Sequence, residues 1–564
     1  MNNITKRPPI GIDDFKELIK GYYFVDKTNF IADILYYGVQ VSLITRPRRF
    51  GKTLMLSMLN YFFTIDDAEN NRAIFNDLKI SKLDQRYLDR QGQSPVIFLS
   101  LKNLEATNFD LFFEKISSAM GAIYSKFSYI LDSSLINKYD KKFFDKLALY
   151  EGSIADVERS LLNLMRMLNI YYQKRVILLI DEYDSPIINA WNEKYYDESI
   201  EFMRNFFGLS LKSNNYLDFA VLTGITRVAK ESIFSGVNNF KSFSVFHNQF
   251  SDIFGFTEEE VIKFLDYYNI GYKIDELKEW YDGYCFGNKE IYNPWSIVNF
   301  IYEYYFHKNK PSGYWINTSG NNIINYILQN NSIELKEDVQ KLMKHGSIIK
   351  DIDEYLIYTD IDTNIDALFS ILVSTGYLKV INKILNEDTW TCTLTIPNKE
   401  VYIAFKKAIA DKLPKTCITS LKNILNLLIS GDSDAFSKEF KNFLILFTSF
   451  FDAAENLQEN FYHGLFLGLV ATLEKDYVIE SNKESGYGRF DIACIPKNKN
   501  NSGIILEFKV SKDKNSLYHD ADAALQQITD LKYATIFNKY PAKNIWQYGI
   551  SFYKRDFVLK KKDA

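Results

Sequence analysis

The feature that most constrains this chain is a Gly51-Lys52-Thr53 triplet set between an apolar run and a helix-forming run. Val41 to Thr45 (VSLIT) reads as a buried strand, and Leu54 to Phe63 (LMLSMLNYFF) reads as a helix. Arg46 to Thr53 (RPRRFGKT) joins them. Strand, loop, Gly-Lys-Thr and helix are the parts of a phosphate-binding loop, in which backbone N–H groups and a helix N-terminus hold phosphate oxygens. On this reading Arg48, Arg49, Phe50 and Gly51 belong to the ATP-binding loop, Lys52 reaches the β- and γ-phosphates, and Thr53 ligates Mg²⁺. The general spacing asks for a further glycine at position 46, where this chain has Arg46. Pro47 can pre-set part of the loop in its place, and three arginines add positive charge.

A Gly-Lys-Thr triplet is common enough by chance to need a partner. Arg175 to Asp184 (RVILLIDEYD) supplies one. Val176 to Ile180 is continuously apolar, as expected of a parallel strand covered on both faces. It ends in Asp181-Glu182, at the carboxyl edge where α/β sheets place ligands. Asp181 suits the Mg²⁺ shell and Glu182 suits polarisation of the attacking water. Taken alone, the pair could equally cap the following segment. A third strand, Asp218 to Thr223 (DFAVLT), leads to Gly224-Ile225-Thr226-Arg227. Thr223 or Thr226 at its tip suits γ-phosphate sensing, and Arg227 suits stabilisation of transition-state charge, in cis or from a neighbouring subunit. A strand end with a surface arginine is the plainer alternative for Arg227.

A chain of 564 residues exceeds one ordinary core, so two to four domains are expected. The net charge of −4 announces no basic field for nucleic acid, although it leaves room for a local channel. Cys285, Cys392, Cys417 and Cys494 form no CxxC pair, which argues against structural zinc and fits a reducing, cytoplasmic setting. No secretory h-region follows Lys6-Arg7, and no apolar run reaches the ~20 residues that span a bilayer. Phe443 to Phe451 (FLILFTSFF) is expected as a buried helix.

Near the C-terminal end, Gly488 to Ile495 (GRFDIACI), a Lys/Asn-rich turn and Ile504 to Val510 (IILEFKV) read as two antiparallel strands. Glu507 and Lys509 are two apart and project from one face, with Leu506 and Phe508 on the other. Asp491 opens the first strand. Two carboxylates and an ammonium brought together in this way can hold Mg²⁺ through Asp491 and Glu507, while Lys509 orients or helps deprotonate water. An isolated Glu-x-Lys is also what a solvated strand face looks like.

Several motifs together resemble the AAA-ATPase-like proteins fused to a PD-(D/E)xK nuclease superfamily domain. They are Ile10 to Phe15 (IGIDDF), Tyr23 to Thr28 (YFVDKT), Arg46 to Thr53, Leu179 to Asp184 (LIDEYD) and Thr223 to Arg227. Tyr281-Asp282-Gly283-Tyr284, Tyr292 to Ser296 (YNPWS) and Ser481 to Ile492 (SNKESGYGRFDI) complete them. The resemblance spans about residues 8 to 540, and RPRRFGKT is the loop form it implies. It also implies a helical acidic residue, for which Glu459, on one helical face with His463, is the candidate metal ligand. Gln527 matches the family's Gln-Ile motif within the amphipathic stretch Ala521 to Tyr533.

Between these regions, Phe256 to Leu265 has a capping-box start at Thr257 and Glu260. Ala367 to Val380 turns at Gly376 from helix to strand, and Trp390 to Ile396 is a second strand. That order, with the resemblance, implies a winged-helix-like module, read as a packing element rather than a DNA reader.

The expected fold is therefore α/β. A P-loop NTPase domain with a parallel sheet occupies 1–250, a helical lid and winged-helix-like region 251–410, and a restriction-endonuclease-like α/β domain 411–564. The expected activity is an ATPase controlling a Mg²⁺-dependent nuclease, with ATP and nucleic acid as partners, DNA ahead of RNA, no membrane, and a homo-oligomer as a further state. The alternative is a nucleotide-switched interaction protein whose nuclease-like domain binds without cleaving.

Overall fold

The computed structural model describes residues 6–227, 233–234, 238–315, 333–354, 364–386, 389–411, 415–450, 462, 464, 466–467, 469–470, 473–481, 483–554 and 556–563. The chain forms two compact units, one from Met1–Gly320 with Ser347–Tyr402 and one from Asn321–Gly346 with Ile403–Ala564.

The first unit is organised by a parallel sheet of β1 (Val41–Thr45), β2 (Val96–Ser100), β3 (Val176–Asp181), β4 (Leu217–Gly224) and β5 (Phe240–Phe243). Its strand order is β2-β3-β4-β1-β5, and every neighbouring pair is parallel. Parallel neighbours require crossover connections, and the intervening helices cover the sheet. That is why β1 and β3 are buried along their whole length and read as unbroken apolar runs. The consequence for the site is positional. β4 is inserted between β1 and β3, so three strands far apart in sequence end side by side. The helix Lys52–Phe63 follows β1 directly and buries Met55, Leu56, Met58, Leu59, Phe62 and Phe63.

Thr257 and Glu260 form the expected capping box at the start of the helix Glu258–Tyr267. Tyr281-Asp282-Gly283-Tyr284, expected as a turn, is a helix-to-strand connection: Tyr281 ends the helix Ile274–Tyr281, and Gly283 stands at φ +95°, where a Cβ would meet the Pro397 carbonyl at 2.2 Å. It leads into the hairpin of β6 (Tyr284–Phe286) and β7 (Lys289–Ile291). A small antiparallel sheet follows, of β8 (Ile348–Ile352), β9 (Lys379–Asn386) and β10 (Thr389–Thr395), in the order β8-β10-β9. The helix Ile365–Thr375 precedes β9 and ends on Gly376 at φ +87°, the helix-to-strand turn expected there. The β9–β10 hairpin packs on the segment after β5. Trp390 stacks on Phe246 at 5.6 Å, and the Lys383 ammonium donates to the Phe246 carbonyl at 2.6 Å.

The second unit holds β11 (Tyr477–Ser481), a short hairpin of β12 (Glu484–Ser485) and β13 (Gly488–Arg489), and then β14 (Ile492–Pro496), β15 (Gly503–Val510), β16 (Ile545–Tyr553) and β17 (Asp556–Asp563). The main sheet runs β11-β14-β15-β16-β17, with β15 and β16 parallel and the other pairs antiparallel. The helix Leu517–Asp530 makes the crossover from β15 to β16. The two faces of β15 carry different cores, as strand alternation requires. Ile504, Leu506 and Phe508 join Phe436, Phe440, Phe466 and Phe552 on one side. Ile505 joins Phe490, Ile528 and Tyr533 on the other, beneath the crossover helix. Glu507 and Lys509 share the face of Ile505. The apolar stretch from Phe443 lies in the helix Ser433–Phe450, with Phe443 and Leu444 buried. Among the described residues no helix is long and apolar enough to cross a membrane.

Candidate functional site

In the first unit the polar residues meet at the carboxyl ends of β1, β3 and β4. The Thr53 hydroxyl donates to Asp181 Oδ2 at 2.6 Å, and the Thr223 hydroxyl donates to Asp181 Oδ1 at 2.7 Å. Asp181 is fully buried. Both of its oxygens are therefore oriented by residues of two other segments, as a carboxylate ligand to a metal ion requires.

Gly51 adopts φ +80° at the start of the Lys52 helix, and nothing lies within 4 Å of where a Cβ would stand. No side chain caps this helix. Its first N–H groups thus face the loop, as an anion cradle requires. The Lys52 ammonium is buried and donates to the Arg46 and Pro47 carbonyls at 2.9 and 2.8 Å. Burial lowers its pKa, while Glu182 and Asp181 act in the opposite direction. A buried cation with carboxylates on one side and loop carbonyls on the other fits a polyphosphate with its metal.

Glu182 follows with φ +52°, a left-handed conformation that costs a non-glycine residue about 1 kcal/mol. Burial raises its pKa above the ordinary value of 4.5. The turn it makes sends Asp184 beneath the exit of β4. There Asp184 accepts from the Ile225 and Thr226 N–H groups at 2.9 and 2.8 Å and from the Thr226 hydroxyl at 3.0 Å. Thr226 is therefore tied to Asp184, and Thr223 is the strand-tip hydroxyl that reaches Asp181. Gly224 is required by this packing, since a Cβ would meet Asp184 Oδ1 and Tyr183 at 2.7 Å. Sequence reasoning gave Asp184 no role. The only available signal was the second aspartate of Asp181-Glu182-Tyr183-Asp184.

Arg46, in the glycine's place, points away from the cradle. Its guanidinium is fully buried and donates to the carbonyls of Thr45 at 2.8 Å, Phe243 at 2.9 Å, Phe250 at 3.1 Å and Gln249 at 3.3 Å. Burial lowers its pKa to about 9, still high enough to keep it charged at neutral pH. The idea that all three arginines add charge to the phosphate loop is thus corrected for Arg46, whose donors serve the ends of β1 and β5. Phe50 also turns inward, its ring against Tyr284 and Phe286 at 5.0 and 5.2 Å, so only its main chain lines the loop. Arg48 and Arg49 are exposed, and the Arg49 guanidinium lies 4.3 Å from the Trp295 ring. Arg227 stands over the Phe240 ring at 5.4 Å, at the start of β5.

In the second unit Asp491, Glu507, Lys509 and Gln527 converge. Asp491 immediately precedes β14, and its Oδ2 accepts from the Phe508 N–H at 2.8 Å. Its own N–H donates to Glu507 Oε2 at 3.3 Å. Gln527, on the crossover helix, bridges the other two, its amide nitrogen donating to Glu507 and its carbonyl oxygen accepting from the Lys509 ammonium at 3.0 Å. Glu507 is 4% exposed, whereas Lys509 at the strand end is half-buried. A shallow cavity opens on Lys509, lined also by Lys512, Ser516 and His519. The carboxylate pair and ammonium suit a hard cation beside a phosphodiester. Glu459 and His463 lie outside the described residues, and the described residues hold no cluster of three or more metal-ligating side chains.

Residues 9–234 match the family model described as Predicted AAA-ATPase, and residues 457–562 match that of the PD-(D/E)XK nuclease superfamily. One chain thus joins an AAA-ATPase-like region to a PD-(D/E)XK region, as the resemblance implied. It is also similar to an Azotobacter chroococcum mcd 1 protein described as "Uncharacterized protein in vnfD 5'region". The two are 26% identical over 572 residues, which cover 97% of this chain and 96% of the relative.

Proposed function

We propose that this protein is an ATPase that controls a Mg²⁺-dependent nuclease acting on nucleic acid, DNA ahead of RNA, in the cytoplasm. The observation that carries the reading is that each matched region holds oriented acidic residues at its sheet, Asp181 at the end of β3 and Asp491 and Glu507 before β14 and within β15. Asp181 is held by Thr53 and Thr223, and Asp491 and Glu507 are tied to Lys509 through the β15 backbone and Gln527. In this reading residues 1–250 bind the nucleotide, 251–410 form the lid and winged-helix-like region, and 411–564 carry the nuclease.

Mg²⁺ would be held by Thr53 and Asp181 in the first region and by Asp491 and Glu507, with Glu459, in the second, and there it would neutralise charge on phosphate oxygens. Lys52 exchanges its loop carbonyls for the β- and γ-phosphates. The Arg48, Arg49, Phe50 and Gly51 backbone cradles them. Glu182 orients water for attack, Thr223 faces the γ-phosphate, and Arg227 offsets developing charge. In the second region Lys509 orients the attacking water, and Gln527 fixes the geometry of Lys509 and Glu507. The test is Mg²⁺-dependent cleavage of DNA and RNA, with and without ATP, by wild type and by Glu507→Ala and Lys509→Ala. Cleavage confined to wild type supports the reading, and indistinguishable behaviour of the three proteins removes the nuclease.

A further inference from the structure

The loop Arg46–Phe50 lacks the glycine that would let it adopt its own shape, and each of its residues is gripped by a different element of the same unit. Arg46 is tied to the carbonyls of Phe243 and Phe250, and Phe50 is packed on Tyr284 and Phe286. Pro47 lies against Gly376, where a Cβ would meet it at 3.1 Å. Arg49 stacks on Trp295, whose indole N–H donates to the Tyr314 carbonyl at 3.2 Å. The Arg48 carbonyl accepts from the Trp315 indole N–H at 3.2 Å.

Trp315 is in turn held by a residue that neither site uses. Glu400 is fully buried, and its Oε1 accepts from the Trp315 N–H at 2.7 Å. Its Oε2 accepts from the Ser296 hydroxyl, also at 2.7 Å. A buried carboxyl is retained at a desolvation cost, and burial lifts this one to about 7. Trp315 is itself 1% exposed and packs on Tyr377 at 5.1 Å. The Glu400 carboxyl therefore joins Trp315 to Ser296, on the same helix as Trp295, so both tryptophans that touch the arginine loop are fixed through it.

We propose that Glu400 is a positioning residue for nucleotide binding, acting through Trp315 to hold the Arg48–Arg49 segment in the shape a phosphate cradle needs. This rests on the ATP-binding reading above. Linkage makes the effect reciprocal, so whatever the latch contributes to ATP affinity, bound ATP returns to the latch. The chain passes to the second unit after Gly320 and after Tyr402, five residues beyond Trp315 and two beyond Glu400. A nucleotide-dependent change at this pair thus arises close in sequence to two of the connections between the units.

The experiment is MgATP titration of the full chain by calorimetry, with tryptophan fluorescence and thermal unfolding measured on the same samples. Glu400→Ala removes the carboxylate that accepts from the Trp315 N–H and is expected to weaken MgATP binding about tenfold. Trp315→Phe keeps a ring and removes one donor, for an expected loss of about fivefold in samples whose unfolding transition shows the protein still folded. Glu400→Gln, which preserves the acceptor, restores affinity to within about twofold of wild type. The ATP-induced fluorescence change persists in Trp390→Phe and is reduced in Trp315→Phe, where Trp295 alone remains against the loop. Equal affinities in wild type, Glu400→Ala and Trp315→Phe overturn the latch and leave ATP binding standing. If Glu400→Ala does not fold, Trp315→Phe decides alone. Absence of binding by wild type overturns the ATP reading and the latch with it.

Discussion

Asp181 is oriented from a distance, accepting from Thr53 beyond β1 and from Thr223 on β4, two segments more than 160 residues apart. Asp491, Glu507 and Lys509 lie within 19 residues on neighbouring strands, and one glutamine from the crossover helix completes them. The proposed nucleotide site is thus a product of tertiary assembly, and the proposed nuclease-like site is mostly a product of strand alternation. The same difference governs tolerance to change. A local cluster loses chemistry when one member is removed, whereas a tertiary one also loses its scaffold.

The sharpest break of this comparison is at Glu507. Glu507→Ala is expected to lower Mg²⁺-dependent cleavage by about a thousandfold or more while leaving ATP hydrolysis near wild type, as read in parallel cleavage and phosphate-release assays. On the tertiary side, Arg46→Gly restores the glycine of the general loop pattern. The substitution is expected to harm the protein, because the Phe243 and Phe250 carbonyls lose a fully buried partner. A loss of about 3 kcal/mol in denaturant unfolding is expected, together with weaker ATP binding. Improved binding without destabilisation would refute the clasp assigned to Arg46.

Glu182→Gln should retain MgATP affinity and reduce turnover about a hundredfold. The sign of the pH dependence follows from burial. A base whose pKa is held above 4.5 is protonated, and so lost, as pH falls through that raised value. Hydrolysis by wild type should decline on acidification from a higher pH than an exposed glutamate would give, and the residual rate of Glu182→Gln should show no such decline. The smallest expected effect is at Gln527, where Gln527→Ala keeps both Lys509 and Glu507 on β15 and removes the amide that bridges them. About tenfold slower cleavage at unchanged melting temperature is expected.

The same contrast explains what could be read from the chain alone. β1, β3 and β4 announced themselves as apolar runs because they are buried on both faces. Glu507 and Lys509 were placed on one face by their spacing of two. Asp491 was placed by a strand start, and the Thr257–Glu260 cap by its spacing of three. Each of those signals is local. The roles of Arg46, Phe50, Asp184 and Glu400 depend on partners that lie from 41 to 234 residues away, and no periodicity encodes them. Arg46 shows this most plainly. As a sequence feature it was an intruder at a glycine position, and only the carbonyls of Phe243 and Phe250 give it a purpose.

The central claim is that nucleotide state controls the second site. It is tested most directly by the rate of Mg²⁺-dependent cleavage by the full chain, with and without saturating ATP, in wild type and Lys52→Ala. The expected result is a rate that changes with ATP in wild type, and a single, nucleotide-free rate in Lys52→Ala whatever the ATP concentration. A wild-type protein that hydrolyses ATP yet cleaves at the same rate with and without it would contradict the claim.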